Sequence, residues 1–302
     1  MTNEENVLRE ELRAIMDREN ISQTAIAKGV GLSVATVSQW LGHKYKGDTE
    51  KVRKAVTKFL RTFQERKERK ATNVRTPGFI RTSVAGHITE VAKICHLDGE
   101  IGVAVGDAGI GKTTAVKKFA QDEAGVILIE ADLGYSARVL FQVISAELGL
   151  EGVGTIHTLF EQAESKLQAT GRLIIIDEAE HLPFKALELL RRLHDKAGVG
   201  VLLVGMPRLL GNLRGKRGEF AQLYSRVGVK AMLNCLRPTD TESFVQAYLP
   251  AANGIWKVFH DRTKGNARLL EKLIRRSSRL ADINHVPIDA EVIDQALATL
   301  MI

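Results

Sequence analysis

The sequence predicts an α/β fold, in which a parallel sheet is covered by helices, followed by a helical C-terminal region and preceded by a small all-α unit. Three observations predict it. Four near-continuous apolar runs, IGVAVG at 101–106, VILIEA at 126–131, LIIIDE at 173–178 and VGVLLVG at 199–205, alternate with amphipathic helical patterns, as strands buried on both faces do. The glycine-rich segment GDAGIGKT, at 106–113, lies between the first run and the helical pattern TAVKKFAQDE. Apolar residues recur at helical spacing over residues 4–60 and again beyond residue 237, where no strand pattern occurs.

Composition and charge narrow the function classes. The chain has 302 residues, 44% hydrophobic and 26% charged, an ordinary globular balance with length for more than one domain. No run approaches the ~20 apolar residues of a bilayer span, and the start is acidic and helical rather than a signal peptide, so a bacterial cytoplasmic protein without membrane contact is expected. The two cysteines, Cys95 and Cys235, have no metal-ligand spacing and are read as reduced, buried thiols. The net charge of +7 is unevenly spread: +6 over residues 1–80 (16 basic, 10 acidic), −5 over 81–207 (12 and 17) and +6 over 208–302 (15 and 9). Basic ends on an acidic middle suit a polyanionic partner, since each cation that replaces a condensed counterion on DNA gains release entropy; solvated surface charge is the plainer reading.

In chain order, residues 1–62 read as the helical unit, interrupted by Gly29, Gly31, Gly42 and Gly47. Within it, SQTAIAKGVGLSVATVSQWL at 22–41 looks like a helix-turn-helix, with a glycine turn at Gly29 and Gly31 and a second helix capped by Ser33. Small Ala27 lets the helices approach, and Val30, Leu32, Val37 and Leu41 fill the core, with Trp40 read as core too. Val34, Ala35, Ser38 and Gln39 are left on the exposed start of the second helix. That set holds one Gln able to read adenine and no arginine for guanine, so weakly selective major-groove contact is expected, with phosphate contacts from Lys44, Lys46, Lys51, Arg53 and Lys54. A protein-docking module of ordinary helical packing is the competing reading. Residues 63–80 turn basic, polar and proline-broken, as linkers do, and residues 81–236 form the α/β core. Beyond it, residues 237–302 read as four helices.

GDAGIGKT fits G-x-x-x-x-G-K-T in the strand–loop–helix context that the P-loop chemistry requires. Gly106, Gly109 and Gly111 leave room for backbone N–H groups to wrap phosphates, with Asp107, Ala108, Ile110 and Thr114 completing the cradle. Lys112 would place its ammonium on the β- and γ-phosphates of ATP, and the Thr113 hydroxyl would ligate Mg²⁺. Lys112→Ala is expected to abolish ATP binding. Asp177, at the end of LIIIDE, would hold the Mg²⁺ through water, and Glu178 would polarise the attacking water. A buried strand ended by a solvated acidic turn, continued by Glu180, is the alternative. Arg226 and Arg268 are candidates for touching the γ-phosphate, or equally for surface salt bridges. In the glycine-flanked loop GKRG, Lys216 and Arg217 are further DNA-contact candidates, against a simply solvated loop.

With these residues in view, the chain resembles the transposition protein B family of phage Mu, AAA+ ATPases that deliver target DNA to a transposase. The resemblance runs through the helix-turn-helix, KYKGD, GDAGIGKT, LIIIDEAEHL, EFAQLYSR and the helical end; the nucleotide motifs identify only the superfamily. It implies an AAA+ core with a helical lid and an ATP-dependent, largely non-specific binder of double-stranded DNA. Such a protein polymerises on DNA as a helical filament, recruits a DDE-type transposase and stimulates strand transfer. Hydrolysis, weak and promoted by DNA and transposase, then releases it. Carried over by motif, Arg226 looks like the arginine finger and Arg268 like the second sensor. One departure stands out: the first sensor position after VGVLLVG is Met206, which donates no hydrogen bond, so either a neighbouring polar group substitutes or turnover is slow. A helicase loader, an ATP-signalled transcription regulator with a defined operator, and a non-hydrolysing ATP-binding scaffold are the alternatives.

Overall fold

The structure, a computed structural model, describes residues 3–70, 77–215, 225–250 and 254–300, with side chains from 5 to 64 in the first stretch. The chain forms two compact units, Met1–Asn73 and Val74–Ile302.

The first unit has four helices, α1 (Asn3–Glu19), α2 (Gln23–Val30), α3 (Val34–Leu41) and α4 (Thr49–Lys70). Ser22 Oγ accepts from Ala25 N–H at 3.2 Å and Ser33 Oγ from Thr36 N–H at 3.1 Å, so each short helix begins on a serine cap. The turn between them rests on Gly31, at φ +77°, which closes α2 in the left-handed conformation. Gly29 is not part of that turn. It lies in the last turn of α2, where an added Cβ would meet Cε2 of Phe59 at 2.6 Å, so its role is close packing. Leu12, Ile15, Ile26, Ala27, Val37, Trp40, Leu41, Val52, Val56 and Leu60 form the core of this unit, with Val30 and Leu32 partly buried against it.

Two arginines of α1 close the end of α3. Arg9 Nε donates to the carbonyl of Trp40 at 2.8 Å, which also accepts from His43 N–H at 3.2 Å, and Arg13 donates to that of Leu41 at 2.6 Å, one of the carbonyls that a helix C-terminus leaves without an intrahelical partner. The Arg9 guanidinium also stands 4.7 Å from the Trp40 ring centroid. Trp40 is fully buried, and truncating a residue so placed costs about 3–5 kcal/mol. Trp40→Ala is therefore expected to shift this unit's urea midpoint sharply downward, read by circular dichroism on residues 1–73. An unchanged midpoint would refute that packing role.

The second unit is built on a five-stranded parallel sheet in the order β2-β3-β4-β1-β5: β1 (Ile101–Gly106), β2 (Val126–Glu130), β3 (Leu173–Asp177), β4 (Gly200–Gly205) and β5 (Val227–Leu233). Alternate residues of the central strands feed two cores. Val103 and Val105 of β1 join Ile174 and Ile176 of β3 under α7 (Ala137–Glu147), α8 (Ile156–Leu167), α9 (Phe184–Ala197) and α10 (Arg208–Arg214). Ala104, Ile175 and Val204 face the other way, toward α5 (Ser83–Asp98), α6 (Lys112–Asp122) and the C-terminal helices. Those helices are α11 (Pro238–Tyr248), α12 (Trp256–Thr263), α13 (Ala267–Asn284) and α14 (Ala290–Ala298).

The fifth strand, absent from the sequence expectation, has the burial pattern of an edge: Gly228, Lys230 and Met232 are exposed in alternation with partly buried neighbours. Of the cysteines expected to be buried, Cys95 is, and its thiol is pushed up to about 12 by burial; Cys235 is exposed. No described helix is long and apolar enough to cross a membrane.

Candidate nucleotide site

The loop at 107–111 joins the C-terminal end of β1 to α6, so the N–H groups opening α6 point out of the sheet edge. Gly109 and Gly111 take φ +82° and +102°, left-handed conformations that turn successive N–H groups to one side. Lys112 is 6% exposed, and its Nζ donates to the carbonyls of Gly106 at 2.8 Å and Asp107 at 2.9 Å. Burial pulls its proton affinity down, opposed by the negative charges of Glu178, Glu180, Asp177 and Asp107. Thr113 is half-buried and Thr114 exposed.

The end of β3 brings the carboxylates in. Asp177 is buried; its Oδ1 accepts from Glu178 N–H at 3.0 Å, while Oδ2 has no hydrogen-bond partner among the described residues. Burial raises the Asp177 pKa, against the Thr113 hydroxyl and the Glu178 N–H, which lower it. An unpartnered, buried carboxylate oxygen beside a threonine hydroxyl is the hard oxygen donor set that Mg²⁺ takes, so the residues fit the ion. Glu178 sits at φ +53° and opens a 3₁₀ turn, Ala179–His181. Burial first, then the charges of Glu180 and Asp177, push its carboxyl above the usual range.

A cleft of about 620 Å³ opens over the loop, within the size range that takes small-molecule ligands. Lys112, Thr113, Glu178, Met206, Arg208 and Arg268 contribute polar or flexible walls, while Phe79, Ile80, Phe244 and Tyr248 form an apolar group. The Phe244 and Tyr248 rings stack at 5.2 Å. The start of α13 is tied to the loop itself: Asn266 Nδ2 donates to the Ala108 carbonyl at 2.9 Å, and Arg268 N–H donates to the Gly109 carbonyl at 2.9 Å. A Cβ on Gly109 would stand 2.6 Å from Asn266 Oδ1, so glycine admits this contact as well as the backbone turn.

The fold therefore brings together Gly106, Asp107, Ala108, Gly109, Ile110, Gly111, Lys112, Thr113, Thr114, Asp177, Glu178 and Arg268. Arg226 is outside the lining of this cleft. It is exposed just before β5, with Nε 3.6 Å from Asp195 Oδ1 on α9. In the first unit, Val34, Ala35, Ser38 and Gln39 are exposed as expected, and so are Lys44, Lys46, Lys51 and Lys54; Arg53 is half-buried and holds Glu50 through two hydrogen bonds of 2.9 and 2.7 Å. Lys216 and Arg217 lie outside the described residues. Sequence reasoning missed Asn266, Arg208, Phe244 and Tyr248, because only tertiary packing brings them to the loop; the helix-capping position of Asn266 was the one local signal.

A P-loop at the C-terminal end of an interior strand of a parallel sheet, an acidic strand end beside it and an arginine-bearing helical region over it define an AAA+ ATPase. The comparisons agree: an AAA domain family matches residues 96–213, and the chain is similar in structure to CDC6P from Pyrobaculum aerophilum, at a TM-score of 0.56 and 14% identity over 73% of this chain and 69% of that one. The "Mu-like prophage FluMu DNA transposition protein B" of Haemophilus influenzae is 30% identical over 250 residues, 78% of this chain and 83% of its own length. The "ATP-dependent target DNA activator B" of Escherichia phage Mu is 28% identical over 283 residues, 92% and 86% respectively. The chain belongs to the Mu transposition protein B family.

Proposed function

We propose that the chain is an ATP-dependent target-DNA activator in phage or prophage transposition, working in the bacterial cytoplasm: it assembles on double-stranded DNA of little sequence preference, recruits a DDE-type transposase and stimulates it. The observation that carries the reading is one chain holding a nucleotide site and a capped, tightly turned helix pair with an exposed face, in a family whose named relative is an ATP-dependent target DNA activator. The division of labour is residues 1–62 for DNA, 63–80 as linker, 81–236 as ATPase core and 237–302 as helical lid. Helix α4 runs to Lys70, so the first part of that linker is helical.

The position of each residue supports the part proposed for it. The loop N–H groups and Lys112 hold the phosphates of ATP, and Phe244 and Tyr248 offer the adenine an apolar face. Thr113 and Asp177 would hold Mg²⁺, which would supply charge neutralisation to the phosphates. Glu178 accepts the proton of the attacking water, its carboxyl already pushed toward protonation by its surroundings. Arg268, bonded through its own N–H to the loop, senses the phosphates in the same chain. Arg226, outside that lining, serves a neighbouring copy, so hydrolysis depends on assembly. On DNA, Val34, Ala35, Ser38 and Gln39 face the major groove, and Lys44, Lys46, Lys51 and Lys54 meet phosphates. Arg53 does so only if it leaves Glu50.

Electron microscopy of the purified chain with random-sequence duplex, in ATP plus Mg²⁺ against ADP, tests this. Filaments that need ATP and shorten at moderate salt are expected. Particles confined to one sequence, or filaments indifferent to nucleotide, would remove the activator reading and favour the operator-binding regulator or the scaffold.

A further inference from the structure

The geometry points to Arg208 as the γ-phosphate contact that Met206 cannot make, held in place by the buried carboxylate of Glu180. This rests on the nucleotide-site reading above and names a further residue of that site. Met206 follows β4 directly and lines the cleft with Arg208, two positions on, and with Glu178. A thioether donates no hydrogen bond, whereas a guanidinium carries five donors in a fixed fork. Arg208 is 56% exposed in its side chain, so most of that fork is free to face the cleft.

What holds Arg208 there is unusual for a surface arginine. Its Nη2 lies 3.6 Å from Glu180 Oε1 and 3.4 Å from His181 Nε2. The Glu180 side chain is wholly buried, and neither of its oxygens has a hydrogen-bond partner among the described residues. A buried carboxylate left so poorly satisfied is costly unless a charge compensates it. Gly205, the last residue of β4, leaves the space it occupies: a Cβ there would collide with Glu180 Oε2. The backbone of the same residue is fastened too, since Asn212 Nδ2 of α10 donates to the Glu180 carbonyl at 3.0 Å.

Stability alone does not account for the arrangement: the Arg208 charge offsets part of the cost of burying Glu180, but Arg208 is the first residue of α10, the end of a helix that disfavours a cation. A triphosphate explains it. The ligand atoms of Glu178, Glu180 and His181 lie within 4.8 Å of one another, and Arg208, whose Nη2 meets the last two, lines the same cleft as Lys112, from which a terminal phosphate would extend. Glu180 acts as a positioning residue: it fixes one nitrogen and leaves the others to the phosphate. Because ADP ends at the β-phosphate, the contact discriminates between the two nucleotides.

The test is a competition titration of the full chain against a fluorescent nucleotide, with ADP and with ATPγS in Mg²⁺. It compares the wild type, Arg208→Ala, Arg208→Lys, Glu180→Gln and Lys112→Ala. For Arg208→Ala, ATPγS affinity is expected to fall about 10- to 100-fold, the worth of one charge-assisted contact, while ADP affinity stays within about threefold. Arg208→Lys should recover part of the loss, as a point charge without the fork, and Glu180→Gln should lower the ATPγS-to-ADP preference in the same direction by less. An unchanged preference in Arg208→Ala, or equal losses for both nucleotides, would overturn the assignment and leave Arg208 a structural residue. Failure of the underlying reading looks different: Lys112→Ala would then bind both nucleotides as the wild type does.

Discussion

Lys112→Ala is expected to fold normally and to lose ATP binding. The side chain is buried against the carbonyls of Gly106 and Asp107, yet its ammonium is surrounded by Asp107, Asp177, Glu178 and Glu180, whose charges work against the cost of burying it. Removing it takes away contacts to two phosphates. Each charge-assisted contact is worth about 1.5–3 kcal/mol, so two weaken binding on the order of 10²- to 10⁴-fold. The same change also leaves four carboxylates facing a polyanion without their counter-charge. Thermal denaturation gives a direct reading: nucleotide at about 100 times the wild-type Kd adds about 2.7 kcal/mol to the wild type and should add almost nothing to the variant. A variant stabilised as much as the wild type would sink the P-loop assignment, and a variant whose nucleotide-free melting point collapsed would show that Lys112 is structural.

Much of this site is legible in the sequence because its parts are local. The apolar runs that become β1, β3 and β4 are buried on both faces and so lack polar alternation, which makes them stand out; β2 lies at the other sheet edge but keeps the unbroken apolar run VILI. β5 escapes the same reading because it lies at the sheet edge, where Gly228 and Lys230 interrupt the pattern. The Ser33 cap of α3 is a signal of one turn and was readable, whereas the place of Gly29 depends on Phe59, thirty residues away. The phosphate loop is likewise local, but its fastening is not: Asn266 and Arg268 reach Ala108 and Gly109 across more than 150 residues. Glu180 illustrates the limit most clearly. In sequence it continues an acidic turn that one reading leaves in solvent; in the fold the left-handed Glu178 turns the chain back, and Glu180 is carried beneath the end of β4.

Glu178→Gln is expected to retain ATP affinity within about threefold and to lose hydrolysis by about 10²- to 10⁴-fold, the usual worth of a positioned general base. Glutamine matches the size of glutamate and meets the same backbone demand at φ +53°, so neither the turn nor the position of Asp177 should move. What changes is the ability to take a proton. Burial and the charges of Glu180 and Asp177 push the Glu178 carboxyl upward, which increases its affinity for the proton of an attacking water; an amide has no such affinity. Binding and turnover should therefore separate in this variant, whereas Lys112→Ala loses both. If hydrolysis releases the protein from DNA, Glu178→Gln filaments formed in ATP should also persist after dilution, when wild-type filaments disassemble. Steady-state phosphate release and filament lifetime measured on the same preparation decide the matter. Wild-type turnover in the variant would move the base to another residue, and slow turnover with ordinary filament lifetime would detach release from hydrolysis.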